Sequence, residues 1–368
     1  MLEVRIKKEE LLKGVSQTQS IAEKRSSMPI LSNVLLEVQE GRLAITATDL
    51  ETSFKGAYEA EILGEGSLTV PARKLFEIVR GLSDEDLNLQ ETENYSLILS
   101  GARSKYQLLG LPPEDFPSMP AYDEVVYMEI EADNLLDMIE KTIFSVSIEE
   151  TRYNLAGVFV EKGEQDGKKL LRMASTDGHR LSMIERIMPG LENLDLEKGV
   201  IISRKGMTEI KKLAEAGGTL KIGFSPKNAV VKRENTVLVI RLLEGRFPDY
   251  NLVIPKDNDK KININRDEFI ETIRRLQVMS TGVKLNITPK EMVLTAINPD
   301  LGEARESILV DYEAEELKSG FNPRYFFEAA SALKSDTITL SFCDSEKPST
   351  ITAQDEPGFV CVIMPVKI

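Results

Sequence analysis

Three segments of the chain share the same order of apolar and polar residues. Each begins with a short stretch in which apolar and polar residues alternate, as in a half-buried strand, and continues with apolar residues at helical spacing. These openings are residues 4–15, 128–139 and 262–273. Each repeat later carries an apolar stretch that runs into a small-polar turn with an aspartate, namely Asp49, Asp177 or Asp300. The pattern predicts a strand and a helix at the start of three repeats.

A second helix is predicted in each repeat from its first residues. Pro71 stands where proline is favoured, at the first helical position, Ser203 is a typical N-cap, and Asn322 with Pro323 opens the third helix. Residues 228–243 and 337–342 have the alternation and β-branched residues of strands. We therefore predict an α+β fold, with two helices packed on one side of a mainly antiparallel sheet, used three times.

Two similar segments fall where linkers between the repeats are expected. Residues 108–120 and 242–255 share a leucine pair followed by Phe-Pro. They predict domains at residues 1–121, 122–254 and 255–368, and a chain of 368 residues suits two or three domains. Because the repeat is longer than a solenoid unit, each domain is expected to bury its own core.

Composition restricts the class of protein. Hydrophobic residues make up 42% and charged residues 29%, as in soluble globular chains. The charged N-terminus and the lack of a long apolar run predict a cytoplasmic protein without a membrane span. Cys343 and Cys361 are predicted to be reduced core thiols, and with the single histidine, His179, they leave no ligand set for zinc.

Charge is distributed unevenly along the chain. The net charge is -14, but in the three predicted second helices basic residues outnumber acidic ones by about two to one. A single helix of this kind is most simply a solvated face, whereas three equivalent helices could line a mildly basic surface that meets phosphates. Such contacts would be weak and free of sequence preference. With 6% aromatic residues and no tryptophan, a base-stacking groove for single strands is disfavoured.

Catalytic motifs are hard to find in the sequence. It contains no GxxxxGK[ST] loop and no GxGxxG motif. The one candidate centre for acid-base chemistry is Asp177 with His179, and its sequence context favours a tight turn in which Asp177 and Gly178 bend the chain. Catalysis is therefore not expected.

Residues 176–181, TDGHRL, resemble a signature of the β subunit of bacterial DNA polymerase III, the sliding clamp family. Further motifs similar to those of the family occur along the whole chain, in the same order as in the family. They are residues 28–33, 71–74, 152–157, 204–206, 245–250, 298–303 and 364–368. Seven motifs in register over three repeats are far more specific than any one of them.

The resemblance implies three tandem clamp domains that form half of a closed ring. The ring would be a head-to-tail homodimer with helices inward and sheets outward, domain 1 of one subunit meeting domain 3 of the other. It would encircle double-stranded DNA and confer processivity on the replicative polymerase, without a cofactor and without catalysis. The implied partners are the polymerase α subunit, the clamp loader, and other polymerases and mismatch-repair proteins that carry a clamp-binding motif.

The resemblance also implies two sets of site residues. A hydrophobic cleft between domains 2 and 3 would receive a short partner peptide. Its expected residues are Leu155, Thr176, His179, Arg180, Leu181, Pro248, Val253, Val362, Met364, Pro365 and Val366. The residues expected to contact DNA are Arg25, Arg73, Arg204, Lys205 and Arg246.

Two other functions stay open at this point. The chain could be a multidomain scaffold that binds proteins through the same cleft but never encloses DNA. It could also be a hydrolase centred on Asp177 and His179, although the same residues are more simply explained as a tight turn. Core packing is the simplest role for Leu155, Leu181, Val253 or Val362 taken singly. A cleft role is better supported for residues 364–366, because an apolar terminus would otherwise fray into water.

Overall fold

The computed structural model describes residues 1–22, 27–149 and 151–367. The chain divides into two compact units. The first comprises Met1–Ile130, Asn193–Asp195 and Gly218–Leu242, and the second comprises Glu131–Glu192, Leu196–Gly217 and Leu243–Ile368. Among the described residues, no helix combines the length and apolar character needed to cross a membrane.

Six α-helices form in the described residues and pack in pairs. Helix α1 packs on α2, α3 on α4, and α5 on α6, so each predicted repeat contains one pair. The helices are α1 Lys8–Thr18, α2 Ala72–Gly81, α3 Ala132–Glu140, α4 Arg204–Ala214, α5 Arg266–Gln277 and α6 Pro323–Ser331.

The first unit contains two sheets. One has the order β5-β1-β7-β8-β9, and in the other the strands follow one another as β6-β2-β3-β4-β17-β16-β15-β10. The strands of this unit are β1 Glu3–Lys7, β2 Asn33–Gln39, β3 Arg42–Thr48, β4 Thr52–Tyr58, β5 Glu61–Gly64, β6 Ser67–Pro71, β7 Asp86–Thr92, β8 Ser96–Ser100, β9 Lys105–Leu109, β10 Tyr127–Glu131, β15 Thr219–Phe224, β16 Asn228–Arg233 and β17 Thr236–Leu243.

The second unit also contains two sheets. One runs β14-β11-β12-β13-β25-β24-β23-β18, and the other is a four-stranded sheet of order β21-β20-β19-β22. Its strands are β11 Gly157–Gln165, β12 Lys168–Thr176, β13 Arg180–Ile187, β14 Val200–Ser203, β18 Lys260–Asn265, β19 Val283–Thr288, β20 Glu291–Asn298, β21 Gly302–Leu309, β22 Leu317–Phe321, β23 Thr337–Phe342, β24 Ser349–Thr352 and β25 Phe359–Ile363.

The three repeat openings have equivalent structures. Strands β1, β10 and β18 each bury alternate residues, and each leads directly into a helix. This confirms the α+β prediction, because side chains on one face of a strand must be apolar where that face meets the core. Ser203 accepts a hydrogen bond from Gly206 N at 3.1 Å, and Asn322 accepts one from Arg324 N at 3.0 Å. Both predicted caps are therefore present.

Two local predictions need correction. Pro71 is the N-cap of α2 and the last residue of β6, so the first helical residue is Ala72. Residues 228–243 form a hairpin of two strands, because Glu234 adopts a positive φ of 49° between them. The predicted turn of the third repeat is present, and Asn298 Oδ1 accepts hydrogen bonds there from Asp300 N and Leu301 N.

An aromatic cluster forms part of the core below the last helix pair. The Phe326 ring makes edge contacts with Phe269 and Phe321, at centroid distances of 5.9 and 5.0 Å. Cys361 is fully buried, and burial raises the pKa of its thiol to about 12. Cys343 is only half-buried, so the prediction that it is a core thiol was wrong.

Strand pairing joins the central and C-terminal repeats within the second unit. β13 and β25 are antiparallel neighbours with Leu181 opposite Val362. A buried charge cluster lies near this pairing: Lys141, 1% exposed, contacts Asp137 Oδ1 and Glu356 Oε2, both at 2.5 Å. Because Glu356 belongs to the C-terminal repeat, the lysine links the two repeats through charge as well as backbone.

Candidate functional site

A small cavity lies beside the paired strands β13 and β25. Its volume is about 280 Å³. Most residues predicted for the cleft line it, namely Leu155, Thr176, Arg180, Leu181, Pro248, Val253, Val362 and Met364. Gly178 and Tyr250 also line it and were not predicted, although both lie within the motifs that carried the family resemblance. Sequence segments far apart in the chain thus meet at one place.

The floor of the cavity belongs to a buried apolar cluster. Leu181 and Val362 lie opposite each other in the β13–β25 register and are 2% and 0% exposed. They pack with Ala174 and Phe247, and Leu155 packs against the edge of the cluster. The same side chains therefore pack in the core and line the cavity, so one role does not exclude the other.

The turn after β12 forms one wall of the cavity. Asp177 Oδ1 accepts hydrogen bonds from His179 N and Arg180 N, both at 3.0 Å, and Thr176 Oγ1 donates to Arg180 O at 2.6 Å. Gly178 has a φ of +89°, in the region that favours glycine, and a Cβ there would lie 2.7 Å from Arg152 Nη1. The motif therefore specifies a rigid, narrow turn.

Arg180 holds this turn against the neighbouring elements. Its side chain is 4% exposed and forms ion pairs with Asp177 Oδ2 at 3.0 Å and Glu328 Oε2 at 2.5 Å. Its Nη2 donates to Phe144 O at 2.5 Å, and the guanidinium lies 4.6 Å from the centroid of the Tyr325 ring. Since the charge is neutralised within the protein, Arg180 contributes to the cavity mainly as a fixed wall.

Tyr250 is fixed by both its ring and its hydroxyl. The ring makes edge contacts with Phe159 and Phe247, which stack on each other at 5.0 Å. The hydroxyl donates to Glu161, and Arg172 Nη1 donates to the hydroxyl at 3.2 Å. Burial, together with the hydrogen bond to Glu161, raises the pKa of Tyr250. The ring is thus held in the cavity wall as a neutral phenol.

Replacing Tyr250 with phenylalanine tests this division of roles. The ring would stay in the wall, so affinity for a peptide in the cavity should change less than about threefold, while loss of hydrogen bonds to two charged groups should cost about 1–3 kcal/mol of stability. Isothermal calorimetry and denaturant unfolding measure the two quantities. A large loss of peptide affinity with unchanged stability would contradict this assignment.

Three predicted cleft residues do not line this cavity. His179 is exposed, its carbonyl accepts a hydrogen bond from Met364 N at 2.9 Å, and its ring lies 6.5 Å from that of Tyr325. Pro365 and Val366 line a larger neighbouring groove. The terminal segment therefore contributes to two separate depressions, and the assignment of His179, Pro365 and Val366 to a peptide cleft stays a prediction.

The contacts of Asp177 bear on the hydrolase alternative. One carboxylate oxygen accepts from two backbone amides, and the other faces Arg180 Nε at 3.0 Å. Its contact with His179 is thus made to the backbone amide. These are the contacts of an aspartate that closes a turn, and they support the turn interpretation.

Four of the predicted DNA-contacting residues can be located. Arg73 lies in the first turn of α2, Arg204 and Lys205 begin α4, and Arg246 follows β17; all four side chains are exposed. Arg73 also forms an ion pair with Glu77 at 2.9 Å. Arg25 lies outside the described residues.

Family models match the chain along almost its full length. They describe the N-terminal, central and C-terminal domains of the DNA polymerase III beta subunit, at residues 2–120, 129–249 and 251–367. The chain belongs to this family. It therefore consists of three tandem clamp domains and functions as a sliding clamp, a processivity factor of DNA replication. The resemblance inferred from the motifs is confirmed, whereas the boundaries near residues 122 and 254 stay a prediction.

Individual relatives agree with this assignment. The beta sliding clamp of Caulobacter vibrioides strain NA1000 / CB15N is 34% identical over 374 residues that cover 100% of both chains. The crystal structure of the Caulobacter crescentus DNA polymerase sliding clamp matches with a TM-score of 0.93 at 34% identity and full coverage of both chains. The Bartonella birtlesii sliding clamp, solved bound to griselimycin, matches with a TM-score of 0.94 at 31% identity, also with full coverage of both chains.

Proposed function

We propose that two copies of this chain close head to tail into a ring that encircles duplex DNA in the cytoplasm. The ring slides without sequence preference, carries out no chemistry and needs no cofactor. Through the cavity described above it tethers the replicative polymerase, the clamp loader, other polymerases and mismatch-repair proteins. Enclosure then provides the processivity that weak phosphate contacts alone cannot.

The observation that carries the DNA part of this proposal is the charge at the helix starts. Each second helix begins with basic residues: Arg73 and Lys74 in α2, Arg204 and Lys205 in α4, and Arg324 in α6. Cations are disfavoured at a helix N-terminus, because the helix dipole is positive there. The first turns of α1, α3 and α5 are instead net negative, as the dipole favours. Two carboxylates outnumber Lys8 at the start of α1 and Arg266 at the start of α5, and α3 has Asp133.

An external anion accounts for this difference between the two helix sets. Helix N-termini attract phosphate groups, and basic side chains placed there add to the attraction. Three helices that share the feature support a surface directed at a phosphate backbone. Part of the charge is neutralised internally, since Glu77 pairs with Arg73 and Lys74 and Glu328 pairs with Arg324. The contacts are therefore weak, which suits a ring that slides.

Two edge strands support head-to-tail closure. β9 ends the five-stranded sheet of the first unit, and β21 ends the four-stranded sheet of the second. Both carry exposed apolar side chains, with Leu109 73% and Leu309 84% exposed. An edge strand offers unpaired backbone groups that can bond to another chain. If β9 of each subunit pairs with β21 of the other, the twofold axis produces this contact twice and the dimer closes into a ring.

The cavity suits an apolar anchor of a linear peptide. Its lining combines Leu155, Leu181 and Val362 with a few polar groups of the turn at residues 176–180. Met364 adds an unbranched, adaptable side chain, which favours binding of several related sequences. A site of this kind lets one clamp serve different partners in turn.

Retention on DNA of different topology tests enclosure directly. After loading with the clamp loader, the protein should stay on circular plasmid during gel filtration and be lost once the plasmid is linearised. Sedimentation should give the mass of a dimer. Equal retention on both forms, or a monomer that still supports processive synthesis, would favour the scaffold alternative.

Charge reversal at Arg204 and Lys205 tests the phosphate contacts. The double variant Arg204→Glu, Lys205→Glu should weaken DNA contact by about tenfold or more at low salt, with a smaller effect as salt rises. Lys168→Glu, an exposed reversal on β12, is the matched control. A loss that does not depend on salt would indicate misfolding and would count against the proposed contacts.

A further inference from the structure

A second depression lies beside the chain terminus and is larger than the peptide cavity. Its volume is about 820 Å³. Residues of β19, β20, β22 and the terminal segment line it, and among them are three lysines, Lys284, Lys318 and Lys367, and one glutamate, Glu346. We call it the lysine groove. Neither the motifs nor the charge pattern along the chain predicted it.

Strand register creates the floor of the lysine groove. β19 and β22 are antiparallel neighbours, with Lys284 opposite Gly320 and Asn286 opposite Lys318. Residues two apart on a strand point to the same face of a sheet, so these lysines project from one face together. Both are exposed. The sheet thus presents two ammonium groups on one surface.

The terminal segment connects the lysine groove to the peptide cavity. Met364 lines the cavity, whereas Pro365, Val366 and Lys367 line the groove. Hydrogen bonds hold the segment on both sides: Met364 N donates to His179 O at 2.9 Å and Val366 N donates to Gly320 O at 2.8 Å. Because extended chain advances about 3.3 Å per residue, a peptide that leaves the cavity reaches the groove within a few residues.

The charge of the groove contrasts with that of the whole chain. Lys318 pairs with Glu316 at 3.0 Å, with both side chains well exposed, so solvent screens that pair. When Glu316 is counted with Glu346, three lysines face two glutamates, which leaves a small local positive excess on a chain of net charge -14. Such a surface attracts carboxylates, and the aliphatic parts of the lysines can pack along a bound segment.

We propose that the lysine groove binds an acidic segment of a partner protein, directly adjoining the apolar residues that occupy the peptide cavity. The inference rests on the proposed peptide function of the cavity. The cavity then supplies the anchor common to all partners, and the groove distinguishes among them by the charge of their flanking residues. Partners with acidic flanks bind more tightly and more salt-sensitively than partners with neutral flanks.

The experiment compares flanks on one polymerase-derived peptide. The same apolar core carries a short run of glutamates or of glutamines, at its N-terminal or its C-terminal end. Fluorescence anisotropy measures the dissociation constants at about 50 and about 300 mM salt. Because three exposed lysines line the groove, the glutamate flank on the peptide end that reaches the groove should bind about tenfold more tightly than its glutamine counterpart at low salt. The difference should shrink at high salt.

Variants assign the effect to the groove. The double variant Lys284→Gln, Lys318→Gln should remove the advantage of the glutamate flank and leave the affinity of the glutamine-flanked peptide unchanged. The matched control is Lys261→Gln, Lys290→Gln, which alters two exposed lysines of the same repeat outside the groove. The control should keep the full difference between the flanks.

The outcomes separate this inference from the proposed function. If both peptides bind the unaltered protein equally, the groove inference is wrong and the cavity assignment stands. If neither peptide binds, the cavity assignment fails, and the inference fails with it. If the groove variant weakens binding of a short DNA duplex but changes neither peptide, the lysines serve DNA and the inference is overturned.

Discussion

Replacing Lys141 with alanine is expected to lower the free energy of unfolding by about 3–5 kcal/mol. The lysine is 1% exposed and contacts Asp137 and Glu356 at 2.5 Å each, and Arg186 approaches the other Asp137 oxygen at 2.7 Å. Without the lysine, the buried carboxylate of Glu356 loses its neutralising charge. An unpaired buried charge destabilises the protein by more than the ion pair had stabilised it. Denaturant unfolding followed by circular dichroism measures the change.

An exposed lysine of the same unit is the control for this variant. Lys168→Ala, on β12, should change stability by less than about 0.5 kcal/mol. A loss below about 1 kcal/mol in the Lys141 variant would mean that the carboxylates stay hydrated without the lysine. The cluster would then contribute little to joining the central and C-terminal repeats.

The pH dependence of the Lys141 effect follows from Asp137. Burial by itself raises the pKa of Asp137, but the hydrogen bond and charge of Lys141, with the charge of Arg186, outweigh it and lower the pKa. A depressed folded-state pKa adds stability above the unfolded value of about 4, and that stability is lost as pH falls through the folded-state pKa. The cost of Lys141→Ala should therefore be smaller in acid than at neutral pH.

Ending the chain after Ile363 is expected to reduce affinity for a polymerase-derived peptide by about 30-fold or more. The truncation removes Met364 from the cavity wall, together with the hydrogen bond from its amide to His179 O. Loss of a central apolar contact in a peptide site typically costs 2 kcal/mol or more. Anisotropy gives the affinity, and sedimentation gives the oligomeric state, which should equal that of the full-length protein.

A shorter truncation provides the comparison. Ending the chain after Val366 keeps Met364 in the cavity and the Val366 hydrogen bond to Gly320. Affinity for a peptide with a neutral flank should then stay within about threefold of the full-length value, because the cavity lining is complete. Unchanged affinity in the longer truncation would show that peptides bind elsewhere.

Local elements were well predicted because their causes are local. The alternation in β1, β10 and β18 and the caps Ser203 and Asn322 depend on neighbouring residues alone. The errors in these elements concerned single residues at element boundaries. A local pattern fixes a helix end only to within one or two residues, so the sequence placed Pro71 one residue inside the helix that it caps.

The site was predicted in part. Residues of the turn at 176–181 are contiguous and belong to a specific motif, so most of their positions at the cavity followed from the resemblance. Tyr250 was missed because its role depends on Glu161 and Arg172, which lie far away in the sequence. The motif at residues 245–250 contained the signal, but nothing in it indicates which side chain faces the cavity.

The family, the threefold repeat, the helix and strand types and the basic starts of the second helices could be predicted from the sequence, because each is visible as a pattern of residue types along the chain. Which distant side chains meet became clear from the folded structure alone. It placed Lys141 beside Glu356, buried Arg180 against Glu328, and divided the chain terminus between a cavity and a lysine groove. Such contacts depend on strand register and packing across long separations, where many pairings satisfy the same local pattern.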